Sequence, residues 1–318
     1  MRTALCLIAA GLPLLAQPKL LVNAQTDTKS AAAGLEQTLR PLIAAPQPAW
    51  IAYSVPSVRA GLGCDYVRDG WNQPGIIHLE PPDHAVILFR VEGGELQRVR
   101  TLSPDCQIDA GNLPFHWLTE VKPAESVAFL SNLAEKRDRY SDGAMTAISL
   151  HSDPSAEATL KRYLAPNQPS AVRVRAVNWF GDAVLKDLAA NDPDERVRER
   201  AISRLGNSRD PATVDAIIPL ARKDPNARIR SAAISALQHR GGAKVLEVYK
   251  ETLESDPDIS VRRRAVSALQ NMPDGEGIPL LIQVAKTTKD NELRKQSMSA
   301  LSNSRDMRAL SFFETVLK

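Results

Sequence analysis

The chain of 318 residues predicts a two-domain α+β protein, with a small β-rich N-terminal module followed by a stack of α-helical hairpins. Three observations carry this reading. One short pattern recurs at a fixed spacing of 32 residues through the C-terminal half. Strand-like runs bounded by Gly and Pro are confined to roughly residues 50–120. Aromatic residues make up only 5% of the chain, which favours an array packed through Leu, Val, Ile and Ala.

The first element is read as an export signal over residues 1–24. Arg2 supplies the positive start, residues 4–16 form an apolar run too short to span a bilayer, and Val22-Asn23-Ala24 suits cleavage after Ala24. Cys6 precedes the apolar run, so a lipid-anchored cysteine is not indicated. Cleavage removes Arg2 and Lys19 and no acid, so the formal charge falls from +3 to +1. A near-neutral mature chain gives no ground for nucleic-acid binding, and no later stretch is long and apolar enough for a membrane span. The protein is therefore expected to be exported, either periplasmic or secreted.

Residues 25–46 read as a linker with a short helix over 31–43, and residues 47–122 as the β-rich module. Strands are expected at 51–55, 75–79, 85–91 and 95–101, the last two forming a hairpin about Glu92-Gly93-Gly94. Residues 106–109 and 115–119 add two more strands. Cys64 and Cys106 are an even pair in an exported chain and read as a disulfide stapling a small module. The competing arrangements are two free thiols, or a metal site borrowing His78, His84 or His116.

Residues 123–318 switch to helical spacing, with helices at 124–134 and 143–151 before the repeat. Motif segments begin at Val197, Ile229, Val261 and Leu293, each 32 residues after the last, with an earlier copy at Val172. On a helix, Val197, Ala201, Ile202 and Leu205 fall in one stripe, and Ala at 176, 201, 233 and 265 permits close helix approach. Second helices are expected at 183–190, 213–223, 243–254, 278–287 and 307–317. No hairpin can bury its stripe alone, so stacking supplies the missing surface. Asp192-Pro193, Asp224-Pro225 and Asp256-Pro257 read as helix starts, with Asp as N-cap, while the last copy has Asp290-Asn291 two residues late.

The pattern Asp-Pro-x4-Arg-x2-Ala-x3-Leu resembles HEAT repeats, in particular the short form of phycobilin-lyase-like proteins, over about residues 140–318. The resemblance implies a right-handed α-α superhelix. It also implies a structural ladder between adjacent repeats, matching Asp192 and Arg198, Asp224 and Arg230, and Asp256 and Arg262. Asn167 stands where the copy containing Arg173 would need its aspartate, which weakens that rung.

No catalytic, cofactor or metal constellation is read from the chain. Its five histidines form no His-Glu pair and no HExxH spacing, so the dyads of a di-iron hydroxylase in the same family are missing. A Gly-x-Ser-x-Gly elbow and a phosphate loop are also missing. The expected function is a non-enzymatic scaffold binding a protein or peptide of acidic character on its concave face. The residues assigned to binding are Arg175, Trp179, Arg196, Arg200, Arg204, Arg228 and Arg264, flanking a strip of small polar residues at 178, 203, 235, 267 and 299. An ordinary solvated face, with Glu195 and Glu199 neutralising the arginines, is the plain alternative. The rival functions are a phycobilin-lyase-like subunit acting on a tetrapyrrole, and carbohydrate or peptide binding by the β-rich module through Trp50, Trp71 and Trp117.

Overall fold

The computed structural model describes residues 20–58, 64, 83–136 and 138–316. It divides into two compact units, Met1–Ala165 and Pro166–Lys318. The apolar run of the expected signal, residues 4–16, and the expected strand at 75–79 with His78 and Trp71 lie outside the described residues.

The first unit is built on one mixed sheet. Its strands are β1 (Leu20–Ser30), β2 (Ala49–Pro56), β3 (His84–Glu92), β4 (Glu95–Leu102) and β5 (Gln107–Thr119), in the order β1-β5-β2-β3-β4. β1 and β2 both run parallel to β5, and β2, β3 and β4 are antiparallel neighbours. The hairpin turns at Gly93 and Gly94, whose φ of 62° and 77° are the left-handed values a tight hairpin turn takes.

Two expectations are corrected here. The segment read as a linker holds the expected short helix, α1 (Leu35–Ala44), but its first part, Gln25–Ser30, belongs to strand β1. β1 is an edge strand held by its backbone ladder to β5, so its polar run Gln25–Ser30 needs no apolar alternation. The two strands expected at 106–109 and 115–119 are one strand. Gly111 and Asn112, which resemble a turn, adopt φ of 64° and 62° inside β5, where β1 has its own irregularity between Val22 and Ala24 at Asn23 (φ 49°). The pair of kinks is a bulge, so pairing resumes from Ala24 with Leu113.

Three more helices, α2 (Pro123–Ala134), α3 (Ser141–Leu150) and α4 (Pro154–Leu164), belong to this first unit, so the unit boundary falls at 165 and not at 122. Packing explains it. Phe129 of α2 meets Phe89 of β3 edge-on at 5.8 Å, and Gly143 of α3 lies where a Cβ would be 2.4 Å from the Val99 carbonyl oxygen of β4. Cys64 and Cys106 are joined as a disulfide. Cys106 is itself buried in a cluster with Ala52, Val86, Leu88, Phe115 and Trp117.

The second unit is a run of hairpins. Helices α5 (Ser170–Ala176), α7 (Glu195–Gly206), α9 (Ala227–Ala236), α11 (Ile259–Gln270) and α13 (Asn291–Ser302) carry the repeated motif. They alternate with α6 (Asp182–Asn191), α8 (Thr213–Lys223), α10 (Ala243–Ser255), α12 (Ile278–Thr287) and α14 (Met307–Val316). The stripe Val197, Ala201, Ile202 and Leu205 is fully buried, as are Ile229, Ala233, Ile234 and Leu237 and their counterparts Val261, Ala265 and Val266. Motif helices pack in series, α5 on α7, α7 on α9, α9 on α11 and α11 on α13.

The helix starts differ from the sequence reading. Asp192, Asp224 and Asp256 are the C-caps of α6, α8 and α10. The N-caps stand two residues later: Asp194, Asn226, Asp258 and Asp290 each accept from the backbone N–H two residues on, at 2.8 to 2.9 Å. Asp290 is thus in register, not late.

A buried polar chain pins the sheet of the first unit to its helices. Tyr53 Oη lies 2.7 Å from Ser126 Oγ, which lies 2.9 Å from His151 Nε2, and His151 Nδ1 is 2.8 Å from the Ala147 carbonyl. A carbonyl only accepts, so Nδ1 carries the proton and Nε2 accepts from Ser126. Burial holds the imidazole pKa below its ordinary value, so the fold keeps His151 neutral. The unfolded chain takes up this proton below about pH 6.5, where the folded unit refuses it. The contribution is therefore present above that pH and is lost as the pH falls. The melting temperature should drop between about pH 7.5 and about pH 5.5, and drop less in His151→Gln, as followed by thermal denaturation. The same drop in both proteins would rule His151 out as the cause.

Candidate functional site

The polar interior of the second unit is a ladder that crosses from each repeat to the next. Arg173 bonds Asp192, Arg198 bonds Asp224, and Arg230 bonds Asp256 through Nε at 2.8 Å and Nη2 at 2.9 Å. The arginine in each case reaches forward to the aspartate of the following hairpin and not to the one six residues before it. This is why Arg173 makes its rung although Asn167 stands six residues upstream. Each aspartate divides its labour. One oxygen accepts from the backbone N–H two residues on, shaping the turn, at 2.9 to 3.0 Å for residues 194, 226 and 258. The carboxylate also binds the arginine. Arg198 and Arg230 further donate to the Ala189 and Asp224 carbonyls, tying down the end of the preceding helix. The Arg230–Asp256 rung opens on a groove of about 580 Å³, lined also by Arg222 and Glu251, which bridge it at 2.6 Å.

Of the residues assigned to binding, Arg196, Arg200, Arg228 and Arg264 fall on the outward side of the motif helices. Arg196, Arg200 and Arg264 are exposed. Arg200 donates from Nε to Asn178 Oδ1 at 2.8 Å, across the step from the α5 repeat to α7. Arg228 is exposed but engaged, 3.0 Å from Glu195 and 2.5 Å from Glu199, and these carboxylates hold its guanidinium more firmly protonated. Arg175, Trp179 and Arg204 are half-buried, Trp179 in a 3-10 turn (Val177–Trp179) that follows α5. Small polar residues run between them: Ser203 and Ser299 are exposed, Ser235 bonds back to the Ser231 carbonyl, and Ser267 accepts from Gln296 at 2.8 Å.

A charge asymmetry emerges that single-residue reading did not register. The five motif helices contain thirteen Arg and Lys against three Glu and no Asp, whereas the five alternating helices contain seven basic and seven acidic residues. Three of those arginines are consumed by the ladder, and a basic excess remains along the outward side. Tallying charge by helix layer instead of by chain would have found it, since the chain as a whole is close to neutral. Among the described residues there is no cluster of three or more His, Cys, Asp or Glu placed to hold a metal, and no helix is long and apolar enough to cross a membrane.

Removing one partner from a rung strands the other. Arg230→Ala leaves Asp256, 8% exposed, without its counter-charge, and should cost about 3 kcal/mol in the urea unfolding of the second unit. The double variant Arg230→Ala/Asp256→Ala should lose less than the two singles added together. Strict additivity would mean that the pair does not act as a rung.

A family model of HEAT repeats matches residues 183–258 and 246–318. Among solved structures, the CpcE–CpcF complex of phycocyanin lyase from Nostoc sp. PCC7120 is similar at 21% identity and a TM-score of 0.36, over 45% of this chain and 97% of that one. Human deoxyhypusine hydroxylase in complex with glycerol is similar at 14% identity and a TM-score of 0.24, over 63% of this chain and 80% of that one. No match is found among curated proteins. The 32-residue register, the buried alanine stripe and the family match agree that residues 183–318 are built of HEAT repeats.

Proposed function

We propose that the protein is a non-catalytic scaffold whose motif-helix face receives an acidic protein or peptide. The observation that carries this reading is the charge asymmetry between the two helix layers, thirteen basic to three acidic residues on one and an even balance on the other. Curvature supports the same side. Successive motif helices lie in broad contact, whereas α6 and α8, α8 and α10, and α12 and α14 touch more sparingly. In a bent double layer the crowded layer is the inner one, so the basic face is concave. A concave, positively charged surface raises the local concentration of an acidic partner and steers its approach.

Within that face, Arg196 and Arg200 are exposed on α7, with Trp179 and Arg204 at their flanks. Arg and Trp combine charge with broad contact area and dominate many interfaces. Reversing both charges, Arg196→Glu with Arg200→Glu, should abolish capture of the partner identified by cross-linking in cells, while the circular dichroism spectrum stays unchanged. Capture at wild-type level by this variant would reject the reading.

The same reading places the protein outside the cytoplasm. Support comes from the apolar run at residues 4–16 and from the Cys64–Cys106 disulfide, a bond that persists in oxidising compartments. Cleavage after Ala24 would shorten β1 to the part beyond its bulge, leaving Gln25–Ser30 paired with residues 114–119. The intact mass of the protein recovered from its native host should correspond to a chain starting at Gln25. A mass that includes residues 1–24 would sink export by this signal.

A further inference from the structure

The ladder stops one rung short. Asp192, Asp224 and Asp256 occur every 32 residues, and the next position in that series is Thr288. Thr288 is the structural equivalent of the three aspartates. It is the C-cap of α12 as they are of α6, α8 and α10, and its Oγ1 accepts from the Asp290 N–H at 3.2 Å, as their Oδ1 atoms accept from residues 194, 226 and 258. A threonine has one side-chain oxygen, and the turn uses it. The second oxygen, which in the other repeats meets the arginine, does not exist here.

The arginine that would meet it is Arg262, in register with Arg198 and Arg230. Its Nε is buried with no hydrogen-bond partner, although the side chain as a whole is only half-buried. Asp290 lies close enough to feel its charge, but its Oδ1 is committed to the N–H groups of Glu292 and Leu293 at 2.9 and 3.1 Å, and neither of its oxygens bonds Arg262 Nε. A buried guanidinium edge without an acceptor is costly. Arg263 and Arg264 beside it are exposed and add positive potential. The comparable rung at Arg230 borders a solvent-open groove, so a ladder position of this kind is reachable from outside.

We propose that Arg262 is a carboxylate-binding site, and that an aspartate, a glutamate or a chain-terminal carboxylate of a bound polypeptide completes the ladder in place of the missing side chain. A planar carboxylate satisfies both the buried Nε and a terminal nitrogen, as Asp256 does for Arg230. The proposal deepens the reading of the motif-helix face as a receiver of acidic polypeptide, and it names one anchoring point on it.

The test uses the full-length mature protein with ¹⁵N-labelled arginine and an acetylated, amidated tetra-aspartate peptide as probe. The Arg262 Nε–H resonance, assigned through Arg262→Lys, should shift on addition of the peptide and not on addition of the tetra-asparagine equivalent. Thr288→Asp should restore the rung from within. It should raise the melting temperature, move the Arg262 resonance without peptide, and weaken the peptide's effect on that resonance about tenfold or more. Thr288→Asn, which keeps the turn without the charge, should leave the peptide response intact. An Arg262 resonance indifferent to the peptide overturns the proposal, and so does a response that Thr288→Asp leaves unaltered. Peptide-induced shifts at Arg196 and Arg200 with Arg262 silent would defeat this site alone and leave the wider face standing. Silence at all of them would defeat both.

Discussion

A two-helix hairpin whose motif helix carries Val197, Ala201, Ile202 and Leu205 on one stripe has more apolar surface than its own partner helix can cover. That deficit is the constraint from which the second unit follows. Each hairpin completes the burial of the one before it, and the alanine at the centre of the stripe lets the two motif helices come together closely enough to exclude water. At about 25 cal/mol per Å² of apolar surface removed from water, this burial supplies the driving force. It does not supply the register, because one alanine-lined stripe fits another with some tolerance.

Register comes from the ladder. Burying a guanidinium and a carboxylate costs solvation that their mutual attraction barely returns, so the rungs Arg173–Asp192, Arg198–Asp224 and Arg230–Asp256 add little net stability. Their effect is on the alternatives. A hairpin that slid along its neighbour would leave both charges buried and apart, an outcome far more expensive than the correct stack. Because the aspartate also shapes the turn before the next motif helix, one side chain fixes the helix start and the docking position together.

The parts of the fold legible in the sequence are those in which the physical cause lies within one helix turn or one repeat. The stripe of α7, α9 and α11 and the hairpin about Gly93-Gly94 are of this kind. β1 was not legible, since Gln25–Ser30 is stabilised by hydrogen bonds to residues 114–119, far along the chain, and edge pairing leaves no mark on its side chains. The gap left between the strands expected at 106–109 and 115–119 holds Gly111-Asn112, whose left-handed backbone is a bulge that only the matching kink at Asn23 reveals. In the candidate site, the exposure of Arg196, Arg200 and Arg264 followed from helical phase alone. That Glu195 and Glu199 neutralise arginines was read as the plain alternative, but the choice of Arg228 was not, because it joins neighbouring repeats 33 and 29 residues apart. Nor was the direction of the ladder, since Asp and Arg six residues apart are adjacent in the sequence pattern and belong to different rungs in space.

The distribution of charge then separates the stacking problem from the binding problem. Stacking takes one arginine from each of α5, α7 and α9 into the ladder. The remaining arginines of α5, α7, α9 and α11 are not required by helix propensity or by burial, and their positive charges repel one another across neighbouring helices. Glu195 and Glu199 relieve that repulsion at Arg228. On the alternating helices the same chain places acids and bases in equal number, so the composition of the protein does not impose the excess. Self-repulsion tolerated on one layer and balanced on the other is the ground on which an acidic partner is proposed for the motif-helix face.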